Sequence, residues 1–299
     1  MEKIAENLYI LGNIALPTFL VLGEEKSALI DAGMTYMAPK YYDEIEEVMK
    51  DGVGPTYLLF THSHFDHIGG APHLVNKFPN MEMCAHSYLF DILKRDKARM
   101  SISHLSKTMA ERFAPGNDLV ENDFDFSIIK PGKILNDGDI IDLGGGITIE
   151  VIDTPGHTND SLSFFIPHIK AVATGEAIGI PHGSDLYVSS EFLSSFDDYI
   201  ASIKRIQKKR PEILLLGHQM IIYKEDIDRY FDNAVKSAFE LKEKIQRYIK
   251  ENDMDMEAVV EAIKEEQYIP LREGKQPVEA YLLNLRAQVK LIARELTRD

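Results

Sequence analysis

The stretch Thr61-His62-Ser63-His64-Phe65-Asp66-His67-Ile68-Gly69-Gly70 decides how the rest of the chain is read. Four metal-ligand types fall between His62 and His67, directly after the apolar run Tyr57-Leu58-Leu59-Phe60. That run is short, continuous and bounded upstream by Gly54-Pro55, the signature of a buried strand. Side chains alternate along extended backbone, so His62 and His64 are expected on one side. The chain must then turn, because Gly69-Gly70 leads into a helix-like segment, and the turn re-aims Asp66 and His67. A single zinc rarely takes more than four protein ligands. A cluster this dense, with further histidines downstream, therefore points to two cations.

Three later places can complete such a site. Asp153-Thr154-Pro155-Gly156-His157-Thr158 ends a strand pattern in a Pro-Gly turn that presents His157. Ala173-Thr174-Gly175-Glu176 does the same with an acid, and Leu214-Leu215-Leu216-Gly217-His218 with a histidine. Each alone is weak, but all place a ligand type just past a buried strand, as the first stretch does. His182, in Pro181-His182-Gly183, is a candidate substrate contact. His73, His86, His104 and His168 have no partner at ligand spacing and are read as surface or helix-end residues.

The run His62-x-His64-x-Asp66-His67 followed by Gly69-Gly70 resembles the metal-binding motif of the metallo-β-lactamase superfamily, and the likeness extends over roughly residues 1–222. It implies a four-layered αββα sandwich. It also implies that His62, His64 and His157 hold one metal, and Asp66, His67 and His218 a second. Glu176 stands where the family usually carries a bridging aspartate, a departure of one methylene that leaves the metal's identity open. Histidine and carboxylate ligation without thiolate suits Zn first, with Fe or Mn as alternatives. Asp31, at the end of Leu29-Ile30-Asp31-Ala32-Gly33, is either a turn residue before Gly33 or, by the resemblance, a carboxylate that steadies a ligand histidine.

The implied activity is hydrolysis by a hydroxide bridging two cations, with Asp66 as both ligand and proton acceptor. Ester-like small molecules, a lactone or a thioester, are the expected substrates. An iron-dependent persulfide dioxygenase shares part of the ligand set. A catalytically silent, metal-stabilised binding protein is the non-enzymatic alternative, against which the retained Asp66 argues. A flavodiiron-type reductase would need an acid at His64 and a flavin domain.

Composition narrows the partners. A formal net charge of −15 disfavours a nucleic-acid partner. Cys84 is the single cysteine, so no intramolecular disulfide forms. No apolar run approaches the roughly 20 residues of a membrane span, and no signal peptide is evident at the N-terminus; a cytoplasmic protein is expected.

Along the chain, strands are expected at 7–12, 18–23 and 27–32, a helix at 39–51, a short helix at 71–78, a strand at 81–85 and a helical pattern over 87–112. Residues 113–130 mix Pro, Gly, acids and aromatics without a period, and read as a lid or a solvated connector. Strands at 139–143 and 147–153, joined across Gly144-Gly145-Gly146 as a hairpin, open a second half. Strands at 161–166, 170–174 and 213–216, with a helix at 192–208, complete it. Two sheets packed face to face with helices outside satisfy both strand sets. From residue 223 onward only helices are expected, at 225–251, 255–266 and 277–297, with Pro270, Gly274 and Pro277 breaking the last two. They form a C-terminal helical extension resembling the appendage of some superfamily hydrolases. The apolar stripe Ala280, Leu283, Leu285, Val289 and Ile292 on the last helix packs on the main domain or on a second subunit of a homodimer.

Overall fold

The computed structural model describes residues 1–50, 52–271 and 276–297; Gly274 and position 51 lie outside the described residues. The first sheet follows chain order: β1 (Glu2–Ala5), β2 (Leu8–Asn13), β3 (Leu16–Leu22), β4 (Ser27–Ile30), β5 (Tyr57–Leu59), β6 (Glu82–Ala85) and β7 (Lys133–Ile134). Tight connections make β1 to β4 antiparallel, whereas β4 to β7 run parallel. Parallel pairs need crossovers. These are α1 (Ala38–Met49), the single turn α2 (Phe65–Ile68) with α3 (Ala71–Lys77), and α4 (Ser87–Leu93) with α5 (Asp96–Phe113).

The second sheet is built from β8 (Ile140–Asp142), β9 (Thr148–Asp153), β10 (Leu162–Ile166) and β11 (Ala171–Gly175). A hairpin of β12 (Ile180–His182) and β13 (Tyr187–Ser189) and then α6 (Phe196–Lys208) intervene before β14 (Ile213–Leu216) and β15 (Ile221–Tyr223). Its order is β15-β14-β11-β10-β9-β8, with β11 and β14 parallel and the other neighbours antiparallel. The Gly144-Gly145-Gly146 run turns the β8–β9 hairpin, all three glycines at positive φ.

The period of two along the strands sorts their side chains into two layers. Leu8, Ile10, Phe19, Val21, Ala28, Ile30 and Leu59 meet Ile149, Val151, Leu162, Phe164, Ala171, Ala173 and Leu215 between the sheets. Their chain neighbours Leu20, Leu29 and Leu58 face outward under Tyr41, Ile45, Leu74 and Leu89 of the helices. This is the αββα sandwich with a C-terminal helical extension. The extension comprises α7 (Lys224–Glu251), α8 (Met256–Ile263), which continues as a π-helical turn to Tyr268, and α9 (Val278–Leu296). It shares one apolar cluster with Val172, Leu214, Leu216 and Ile222 of the second sheet and with α6.

Several elements depart from the sequence expectation. The pattern over 87–112 breaks into α4 and α5, because Arg95 is extended and Asp96 opens a new helix. The short strands β1, β7, β12, β13 and β15 have too few residues for a visible period. Of residues 113–130, 113–122 are mostly exposed, as a solvated connector would be, whereas two 3-10 turns farther on bury Asp123 and Phe126, and Asp123 holds His73 at 3.1 Å. Of the expected α9 stripe, Leu285, Val289 and Ile292 are buried within the chain's own cluster. Leu283 is 60% exposed and Ala280 faces elsewhere, so the stripe is narrower than its sequence suggests. No helix of the described residues is long and apolar enough to cross a membrane.

Candidate metal centre

The predicted donors converge because they follow strands whose carboxyl ends share one edge of the sandwich. Asp31 follows β4, His62 follows β5, His157 follows β9, Glu176 follows β11 and His218 follows β14. In open sheets that edge is where ligands bind. The backbone is extended at His64, and the turn of α2 then brings Asp66 and His67 inward. Gly69 and Gly70 permit that turn: a Cβ on Gly69 would lie 2.4 Å from Phe65 O, and one on Gly70 2.3 Å from Ala32 O. Glu176 is placed by Gly175, whose φ of +51° turns the chain after β11.

Glu176 sits at the centre. Its Oε2 lies 2.7 Å from His157 Nε2, 3.3 Å from His62 Nε2, 3.7 Å from His64 Nδ1 and 3.9 Å from His67 Nε2. Its Oε1 lies 3.4 Å from His218 Nε2, which is also 3.4 Å from Asp66 Oδ2. Two groups of donor atoms result, His62/His64/His157/Glu176 and Asp66/His67/His218/Glu176, each within 4.8 Å of one another. The structure thus brings all seven predicted donors together.

Outer hydrogen bonds orient the rings. His67 Nδ1–H donates to Asp31 Oδ2 at 2.8 Å, His157 Nδ1–H to the Glu191 carbonyl at 2.7 Å, and His218 Nδ1–H to the Ala15 carbonyl at 2.9 Å. His62 Nδ1–H donates to Thr61 Oγ1 at 3.0 Å, and that hydroxyl donates in turn to Asp31 at 2.8 Å. With the outer nitrogen protonated and the ring neutral, each Nε2 can offer a lone pair to a cation in the interior; without a cation, a second proton on Nε2 of His157 or His218 faces the carboxylates of Glu176 and Asp66. His64 is reversed, with Nδ1 inward and 3.1 Å from His157 Nε2. His62 Nε2 and His67 Nε2 are buried without a hydrogen-bond partner. Lone pairs buried against one another and against two carboxylates are costly unless a cation or proton lies between them. The residues present therefore fit divalent cations.

Charge follows the same logic. Burial raises the Glu176 carboxyl, but the charge and hydrogen bond of His157, joined by His218 and His62, hold it well below the usual carboxylate range. Burial raises Asp66 as well, and the hydrogen bond from His218 with the charge of His67 outweighs it, for a net lowering. Burial and the nearby His67 keep His62 well below the ordinary histidine value. Both acids are thus ionised in the cluster.

The centre opens onto a cavity of about 460 Å³. Met109 and Phe113 of α5, Met34 and Tyr36 of the α1 approach, and Ala280 and Leu283 of α9 make its wall largely apolar, with Arg112 as its cation among the described residues. Arg112 pairs with Glu279 at 3.4 Å, joining α5 to α9 across the rim. Of residues 113–130, Phe113 reaches the cavity and stacks on Tyr36. His182 is not brought to the donors. It is buried on β12 with Nε2 2.8 Å from Ser189 Oγ, and it lines a different cleft with Tyr187 and Pro270.

The sequence profile of the metallo-beta-lactamase superfamily matches residues 16–218, a span that holds every one of these donors. The chain belongs to the metallo-beta-lactamase superfamily. It is 28% identical over 245 residues to the acyl-coenzyme A thioesterase MBLAC2 of Gallus gallus, covering 79% of this chain and 83% of that protein. It is 22% identical over 285 residues to the beta-lactamase-like protein 2 homolog of Caenorhabditis elegans, covering 94% and 78%. A metallo-beta-lactamase family protein of Thermus thermophilus shares the fold, with a TM-score of 0.67, 15% identity and coverage of 98% and 95%.

Sequence reading missed the partners that hold this superfamily centre from behind. Thr61 was visible beside His62, but its hydroxyl link to Asp31 depends on β4 and β5 being neighbours. The Ala15 and Glu191 carbonyls carry no side-chain signal, and only the fold brings them to His218 and His157.

Proposed function

We propose that this chain is a metal-dependent hydrolase of ester-like small molecules, and that acyl thioesters are its substrates. The observation that carries this reading is a conjunction: two donor groups sharing Glu176 open directly onto an apolar cavity with a guanidinium at its rim. A chain of methylenes suits that wall, and Arg112 suits an anionic carrier group. The relative named as an acyl-coenzyme A thioesterase supports the same substrate class.

In this reading His62, His64 and His157 would hold one divalent cation and Asp66, His67 and His218 a second, with Glu176 within reach of both donor groups. Zn is the first choice for an imidazole and carboxylate set, with Fe or Mn as alternatives. When bound, the cations would supply Lewis acidity that polarises a substrate carbonyl and acidifies water. Asp66, ionised and beside His218, orients the attacking water and accepts its proton on a carboxylate oxygen. Asp31 and Thr61 fix the tautomers of His67 and His62. Residues 1–222 form the catalytic unit, and 223–299 the extension, of which Tyr268, Pro277, Ala280 and Leu283 line one wall of the cavity.

The test is metal analysis by mass spectrometry together with hydrolysis assays on acyl thioesters, lactones and phosphodiesters. Close to two divalent cations per chain are expected, with thioester hydrolysis abolished by chelation and restored by Zn. Full hydrolytic activity with less than one metal per chain overturns the reading. Oxygen-dependent turnover of a persulfide by an iron-loaded protein would replace it with the dioxygenase alternative.

A further inference from the structure

The segment between β13 and α6 is held from two sides. On one side its Glu191 carbonyl accepts the Nδ1–H of His157 at 2.7 Å, and the Glu191 N–H reaches Tyr199 Oη at 3.3 Å. On the other, α9 grips the same two residues. Asn284 Nδ2 donates to Glu191 Oε2 at 2.9 Å, and Gln288 Nε2 donates to the Ser190 carbonyl at 2.6 Å. Gln276, just before α9, adds a donor to Glu191 Oε1 at 3.3 Å. Asn284 and Gln288 are four residues apart and so share one face of the helix. Glu191, Ser190 and Gln288 are all buried. Burial and the nearby Glu176 charge push the Glu191 carboxyl up to about 8, and a buried carboxyl or carbonyl oxygen without a donor is costly, so these amides help to hold residues 190–191 where they sit.

We infer that α9 is a positioning element of the metal centre: Asn284 and Gln288 fix Ser190-Glu191, and the Glu191 carbonyl thereby sets the tautomer and orientation of His157. A metal-binding histidine depends on the acceptor behind its second nitrogen. Here that acceptor is a main-chain carbonyl in the connection between the hairpin β12–β13 and α6. The N–H groups of residues 193–195 and Ser194 Oγ anchor the far end of that connection on the Gly156 carbonyl, and the C-terminal helix supplies the side-chain donors that hold residues 190–191 themselves. Asn284 and Gln288 are positioning residues, since neither touches the donor atoms. The inference rests on the metal reading above and adds a part of the chain outside the span 16–218 to the site's construction.

The experiment uses full-length protein stripped by chelator and titrated with Zn²⁺, then with Co²⁺ to read the ligand-field spectrum. Asn284→Leu and Gln288→Met keep volume and remove the donors. His157→Ala identifies which binding step belongs to His157. Arg286→Ala is the control: it lies between the two on α9 and pairs with Glu257 at 2.9 Å, away from residues 190–191. The expected result is a loss of about 10- to 100-fold in Zn²⁺ affinity at the His157 step, the range for partners behind a ligand. An altered Co²⁺ spectrum should accompany it, with Arg286→Ala like wild type. If either variant fails to fold, Asn284→Ser and Gln288→Asn, which shorten the donor without removing it, read the same two quantities. Wild-type affinity and spectrum in the donor-removing variants, even with a lower Tm, overturn the inference and leave α9 a packing element. An equal loss in Arg286→Ala overturns it too. Wild-type protein that takes up no divalent cation overturns the metal reading, and this inference with it.

Discussion

Asp31→Asn separates shape from charge at the one carboxylate that touches two parts of the centre. Asp31 is buried, and its oxygens accept Thr61 N–H at 2.8 Å, the Thr61 hydroxyl at 2.8 Å and His67 Nδ1–H at 2.8 Å. Asparagine keeps an oxygen for Thr61 N–H but turns an NH₂ toward His67. Two donors then face each other. Relief comes by moving the His67 proton to Nε2, where it blocks the lone pair aimed at the interior. A hydrogen bond to a charged group contributes about 1.5–3 kcal/mol. At about 1.4 kcal/mol per decade, its loss predicts a weakening of about 10- to 140-fold in the cation step that uses His67. Zinc titration against a competing chelator reads this directly. Urea unfolding in chelator reads a second consequence. Burial lowers the His67 pKa, but the Asp31 charge outweighs it and leaves the net value above 6.5. A histidine raised in this way stabilises the metal-free fold fully below pH 6.5, and that stabilisation fades as pH rises through the folded value. The stability gap between wild type and Asp31→Asn should therefore be widest below pH 6.5 and narrow above it. A variant that takes up both cations with wild-type affinity would refute the tautomer argument.

Three further perturbations test other parts of the molecule. Glu176→Ala should weaken both cation-binding steps and abolish turnover, while Glu176→Asp should weaken one step, since the shorter arm fails to span both donor groups; calorimetric titration of stripped protein distinguishes them, and two unchanged steps in Glu176→Ala would remove Glu176 from the ligand set. Ala280→Trp should narrow the cavity and depress kcat/KM for long acyl thioesters relative to short ones, by about fourfold for each methylene excluded; an unchanged long-to-short ratio would take the acyl chain out of this cavity. Truncation after Tyr223 should give insoluble protein, because it uncovers Leu214, Leu216, Ile222, Phe196 and Ile203 at about 1.5–3 kcal/mol each, against a total stability of about 5–15 kcal/mol; a soluble fragment with an intact thermal transition would contradict this.

The donors were legible because each is tied to a local signal. An apolar run followed by Gly or Pro-Gly and a ligand type can be read within a few residues, and His62, His157, Glu176 and His218 all follow that rule. The two-sheet architecture was legible for the same reason, since β2, β3, β4, β9, β10, β11 and β14 each carry their own alternation or continuous apolar run. What stayed hidden is whatever depends on two distant segments at once. Strands such as β7 and β15 exist only because a neighbour offers an open edge, and no pattern within two or three residues announces that. The second part of residues 113–130 looks like a free loop until Asp123 meets His73 of α3.

The C-terminal helices are the sharpest case of that limit. Their apolar stripes predicted burial, and Leu285, Val289 and Ile292 are buried as such stripes require. The same periodicity grouped Ala280 and Leu283 with them, because a stripe says which residues lie near one another and not what lies opposite. In the fold Tyr281, Leu282 and Leu285 keep this end of the helix on the apolar cluster, and Ala280 and Leu283 lie on an adjacent face that looks into the cavity beside the donors instead. Asn284 and Gln288 read from sequence as ordinary polar positions on a helix. Their partners lie 93 and 98 residues earlier, in a segment with no regular structure. A polar residue on a helix acquires meaning from the buried group it satisfies, and here that group stands directly behind His157. Substitutions on α9 should accordingly divide by face: those at 285, 289 and 292 alter stability, those at 280 and 283 alter which substrates fit, and those at 284 and 288 alter the metal.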